Sequence, residues 1–148
     1  MRYLISIVVI AIGCNAEVNL PTSEQDFIET YRTAFESGQS DAILRLVKWD
    51  GVPDDLRRSQ EFAYTWFVGK HKITTIELVA FEIGPDDTFE VEGRPITTNL
   101  EPQFWLLVEH VGNLGFEGGE SSGRLKAPVG IENGVFYICG SIWKDSQQ

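Results

Sequence analysis

Basic residues are scarce in this chain, and so are the residue types from which most sites are built. Twelve lysines and arginines stand against 22 aspartates and glutamates, for a net charge of −10. A surface of that sign repels phosphate backbones, which argues against nucleic acid as a partner. There are two histidines, His71 and His110, and no His-x-x-x-His or Cys-x-x-Cys spacing, so neither a metal centre nor a cofactor is expected. The two cysteines, Cys14 and Cys139, lie near opposite ends. No apolar run approaches the roughly 20 residues that span a bilayer. Long Gly/Pro/Ser runs are missing too, and a hydrophobic content of 43% supplies one core, so a single domain over residues 22–143 is expected.

What is present at the start reads as an address. Arg2 gives one positive charge, Leu4 to Ile12 a short apolar run broken only by Ser6, and Gly13-Cys14 a small-residue junction. Residues 1–13 have the layout of a signal peptide. Ala11-Ile12-Gly13-Cys14 resembles the bacterial lipobox, in which a lipid is attached to the cysteine after cleavage just before it. Leu is replaced by Ala11 at the first position. The expectation is a lipid-anchored protein of the cell envelope, tethered by 14–21 and held to the membrane through Cys14. Ordinary cleavage after Ala16, releasing a soluble secreted or periplasmic chain, is the alternative. With Cys14 lipidated, Cys139 stands alone as a small half-buried hydrophobe.

The next stretch reads as three helices. Thr22 opens the first with Gln25 in capping-box position, and Phe27, Tyr31, Ala34 and Phe35 form one apolar stripe that Gly38 ends. Ser40 caps a second helix burying Ile43, Leu44 and Val47. Pro53 stands where a first helical residue belongs, and a third helix runs through Leu56, Ala63, Trp66 and Phe67 to Gly69.

From His71 the hydrophobic period changes from 3.6 to 2. Ile73 to Phe81 predicts an inner strand, Thr88–Val91 and Pro95–Thr98 short arms with Pro95 at an edge, and Phe104–Val111 another full strand. Along that strand Phe104, Leu106, Val108 and His110 share one face, and Trp105, Leu107 and Glu109 the other. Gly112 to Gly123 is a glycine-rich connection that lacks the Lys-Ser/Thr ending of a phosphate loop. Asn133-Gly134 then turns a hairpin spanning Leu125 to Trp143, and 144–148 is expected to fray. The fold class is therefore α+β, three N-terminal helices packed on a strongly curved antiparallel sheet of four to five strands.

The run from Phe27 through Gly38-Gln39-Ser40-Asp41 to Ile43, with the closing Glu132-Asn133-Gly134-Val135-Phe136-Tyr137-Ile138, resembles the nuclear-transport-factor-2-like (SnoaL-like, cystatin-like) superfamily. The resemblance implies a cone-shaped α+β fold with a pocket between sheet and helices. Its members range from isomerases and dehydratases to inert binding domains, and the fold often dimerises through its outer sheet face.

Judged residue by residue, no full catalytic constellation is read from the sequence. Tyr31 is a core tyrosine or a pocket phenol. Glu77, on an apolar strand, is a general acid or base if buried, and an ordinary surface residue if an edge or bulge lets it reach water. His110 ends an apolar strand face and could look into a pocket mouth. Phe35, Trp66, Phe104, Leu106 and Phe136 are the candidate pocket lining. The expectation is a non-catalytic exported domain binding a small apolar ligand or an envelope protein. The alternative is a cofactor-independent isomerase or dehydratase in which Tyr31, Glu77 and His110 converge.

Overall fold

The computed structural model describes residues 19–113 and 119–147. The expected signal segment, Cys14 and most of the tether lie outside the described residues, as does the centre of the glycine-rich connection.

Helix α1 (Glu24–Glu36) begins slightly later than expected, because Ser23 rather than Thr22 supplies the cap, its hydroxyl accepting from Asp26 N at 3.1 Å. Phe27, Tyr31, Ala34 and Phe35 are each 3% exposed or less. At about 1.5–3 kcal/mol for each large side chain fully buried, this stripe alone fixes which way the helix faces. In α2 (Ser40–Arg45) the residue preceding the helix is Gln39, which makes no side-chain cap, and Ile43 is buried. Pro53 is the N-cap of α3 (Asp54–Thr65), whose buried residues are Leu56 and Tyr64. Gly38 and Gly69, at φ +76° and +74°, end α1 and follow α3. A Cβ on Gly69 would lie 2.9 Å from Gly38 Cα, so the two chain reversals meet backbone to backbone.

The strands are β1 (His71–Ala80), β2 (Glu90–Val91), β3 (Arg94–Thr98), β4 (Pro102–Asn113), β5 (Glu120–Glu132), β6 (Val135–Ile138) and β7 (Ser141–Trp143). They form a four-stranded sheet in the order β1-β4-β5-β6 and a three-stranded sheet in the order β2-β3-β7, with antiparallel pairing throughout. Among the described residues the protein is α+β with three helices and two antiparallel sheets, in place of the one sheet expected.

The second sheet exists because the last arm of the hairpin is not one strand. The Asn133-Gly134 turn forms with both residues at positive φ, +51° and +78°, and sets Ile131 opposite Phe136 and Val129 opposite Ile138. The arm then breaks at Cys139-Gly140. A side chain at Gly140 would collide with Lys48 O, Val52 and Asn99, so the backbone passes through a slot only glycine fits. Asn99 holds it there. Its Oδ1 accepts from Gly140 N at 2.8 Å while its Nδ2 donates to Lys48 O at 2.8 Å and Asp50 O at 2.9 Å.

Strand β1 is an edge strand rather than an inner one, and its register with β4 slips between Ile73 and Thr75. Strand β3, not an edge as Pro95 suggested, is the middle of its sheet. Pairing with β7 starts only at Ile96, so the missing N–H of Pro95 costs no bond there. The free edge of β6 is covered: Ile138 N donates to Leu46 O at 2.7 Å, Lys48 N to Ile138 O at 2.9 Å and Phe136 N to Pro21 O at 2.9 Å. Leu106, Val108, Ala127, Val129 and Ile138 share one buried cluster with the helix stripe. The expected frayed end is a 3-10 turn, Lys144–Gln147, in which Asp145 pairs with Arg94 at 2.9 Å while that guanidinium lies over Trp143.

Candidate functional site

Three features bear on function: a cleft between the two sheets, a small cavity under the helices, and a row of polar side chains at one end of the larger sheet.

The cleft follows from strand alternation. Trp105 points away from the helices, where the loop after β1 folds back over it. Its indole Nε1 donates to Glu82 O at 2.9 Å, and Phe81 and Phe89 lie against its ring. Lys126, from β5, crosses the same ring and pairs with Asp87 at 2.6 Å. The Lys126 ammonium, with a second bond from Gly84 N, holds the Asp87 carboxyl below the ordinary carboxylate range. Beside this strap lie two hollows of about 280 Å³ each. Phe89, Ile96, Thr97 and Thr98 line both; Trp105, Asp87 and Lys126 line one, and Phe81, Ile83 and Lys144 the other. An aromatic wall with a few hydroxyl and charged groups is the composition of a small-molecule site.

Between helices and sheet the space is far smaller. A cavity of about 60 Å³ is bounded by Tyr31, Phe35, Tyr64, Phe67, His110 and Leu125 among others. That holds a few waters at most. Burial raises the Tyr31 hydroxyl well above its ordinary range and pushes Tyr64 up to about 12, so both phenols stay protonated.

Of the trio that an isomerase needed, Tyr31 and His110 border this cavity and Glu77 does not. Glu77 stands opposite Leu107, on the sheet face turned away from the helices, and is exposed. The burial that would have made it a proton carrier is absent, because β1 is an edge strand. Among the expected pocket residues, Phe35 lines the cavity, while Leu106 is wholly buried and Phe104 stacks on Phe136 in the core. Trp66 is 46% exposed beside Phe62 on the outside of α3, with the Lys70 ammonium over its ring. Cys139, expected half-buried, is 1% exposed, and burial pushes its thiol up to about 12.

The third feature went unread in the sequence. His71 and His110 occupy neighbouring rows of one face: His71 opposite Gly112, which is opposite Ser121; Ile73 opposite His110, which is opposite Gly123. A side chain at Gly112 would collide with the His71 ring, and one at Gly123 with the His110 ring. The two glycines therefore let both imidazoles lie across the sheet. His71 Nδ1 is 2.8 Å from His110 Nδ1, and His71 Nε2 is 2.8 Å from Ser121 Oγ, which also lies 3.1 Å from Gly112 O. Phe35 packs on the His110 ring and Phe67 on both. Burial lowers the pKa of both histidines, and for His110 the neighbouring His71 adds to it.

Two proton arrangements satisfy the row. Either His71 Nε2–H donates to Ser121 while the serine donates to Gly112 O, or Ser121 donates to His71 Nε2 and His71 Nδ1–H donates to His110. The expectation that no serine lies in a Gly-x-Ser-x-Gly turn overlooks Gly119-Glu120-Ser121-Ser122-Gly123, which has that spacing but runs into β5 rather than into a strand-to-helix turn.

No known protein family, curated protein or solved structure matches this chain.

Proposed function

We propose that the chain is an exported domain, lipid-anchored through Cys14, that binds a small apolar ligand in the cleft between its two sheets. The observation that carries the reading is the pair of adjoining hollows sharing Phe89, Ile96, Thr97 and Thr98, each several times larger than the cavity under the helices. The ligand's apolar body lies against Phe89 and Trp105, and Thr97, Thr98 and the Asp87–Lys126 pair meet its polar edge. Kinship with the nuclear-transport-factor-2-like superfamily remains part of this proposal, supported by three helices leading into antiparallel strands. In that fold the ligand would sit under the helices, a position here reduced to about 60 Å³.

Titration with N-phenyl-1-naphthylamine, a neutral apolar fluorophore, tests the site. Fluorescence enhancement at micromolar protein is expected, and Thr97→Trp, which sets an indole at a position bordering both hollows, should abolish it with the melting temperature unchanged. Enhancement that survives Thr97→Trp places the ligand elsewhere. For the address, intact mass of the mature chain separates a diacyl- or triacyl-modified Cys14 from an unmodified N-terminus at Glu17.

A further inference from the structure

Ser121, His71 and His110 stand in a line with two successive contacts of 2.8 Å. A serine hydroxyl within reach of an imidazole nitrogen, whose other nitrogen meets a second oriented group, is the geometry that activates a nucleophile. Here the second group is an imidazole in place of a carboxylate. We propose that Ser121, His71 and His110 form a Ser–His–His nucleophile that accepts the acyl group of small carboxylic esters.

Each part is placed by the sheet. Gly112 lies between His71 and Ser121 in the cross-strand row, and lacking a side chain it leaves the imidazole free to reach the hydroxyl. Ser121 is only partly buried, whereas His71 and His110 are 2% and 4% exposed. The serine is thus more open to solvent than its base. Gly119 and Gly123 flank it at the spacing found around serine nucleophiles, although here it is aimed by the register of β5 rather than by a strand-to-helix turn. Phe35 and Phe67 fix the His110 ring, so His110 acts through His71 as a positioning residue.

In the reaction Ser121 Oγ bonds to the ester carbonyl carbon and its proton passes to His71 Nε2. The resulting imidazolium keeps Nδ1–H on the lone pair of His110 Nδ1. The carbon–alkoxy bond breaks and the alcohol leaves with the proton from His71. A water repeats the sequence against the acyl-serine, giving the carboxylic acid and restoring the hydroxyl. No oxidant, metal or further reactant enters.

The test is a fluorophosphonate probe on the full chain, in which the Ser Oγ–P bond forms and fluoride leaves. Peptide mass mapping should find the adduct on Ser121 and none on the adjacent exposed Ser122, and Ser121→Ala should remove it. His71→Ala should slow labelling by about 100-fold, with partial rescue by added imidazole. His110→Gln should leave labelling measurable but move the inflection of its rate against pH, which a purely structural role would not do. The proposal is overturned by no adduct on Ser121, by equal labelling of Ser121 and Ser122, or by a rate indifferent to His71→Ala. The cleft reading is untouched by any of these results.

Discussion

His71 Nδ1 and His110 Nδ1 face each other at 2.8 Å although 39 positions separate them in the chain. One N–H fits between the two nitrogens and a second does not, so the two rings cannot both carry a proton at Nδ1 while the contact holds.

Stability should therefore depend on pH in the mildly acid range. Both folded-state values lie below the ordinary 6.5, so the unfolded chain binds protons first and the stabilisation, complete above pH 6.5, is lost as pH falls through the folded values. Each proton taken up on unfolding tilts stability by about 1.4 kcal/mol per pH unit. Urea midpoints measured from pH 7.5 to 4.5 should fall, and in His71→Gln/His110→Gln the fall should flatten. An equal slope in the double variant would remove the pair as its source.

Asn99 joins the second sheet to the segment between α2 and α3. Asn99→Ala strands Gly140 N, Lys48 O and Asp50 O, and at about 0.5–1.5 kcal/mol for each hydrogen bond the loss should total roughly 2–4 kcal/mol. Asn99→Asp keeps the acceptor for Gly140 N but turns an oxygen on the two carbonyls, so it should not rescue. Equilibrium unfolding with an unchanged m-value is the measurement. A cost below 0.5 kcal/mol, on the order of a surface substitution, would show that the joint is made elsewhere.

How much of this was legible follows from the range of each interaction. The α1 stripe, the Asn133-Gly134 turn and the alternation along β4 and β5 are local patterns, and residues such as Phe27, Asn133 and Trp105 stand where those patterns put them. The second sheet was not readable, because the break at Gly140 depends on Lys48, Val52 and Asn99, all remote in sequence. Glu77 looked enclosed only while β1 was taken for an inner strand. His71 looked like the plain start of a strand because its partners, His110 and Ser121, are set by the pairing of three strands. The cleft needed knowledge that the loop after β1 folds back over Trp105.

That loop offers a direct check. Lys126 lowers the Asp87 carboxyl, so this ion pair stabilises above the ordinary value of 3.8 and is lost as pH falls through the depressed one. In Lys126→Met the Asp87 titration followed by NMR should move up towards 3.8, while the melting temperature changes little, as for other ion pairs near the surface. An unchanged titration would assign the depression to the Gly84 N–H instead.

A ligand seated between the sheets should register in amide and indole shifts mapped while N-phenyl-1-naphthylamine is added. The Trp105 indole and the Thr97, Thr98 and Ser141 amides should move together and saturate. Shifts confined to Phe35, Phe67 and His110 would place the ligand under the helices and contradict a seat between the sheets.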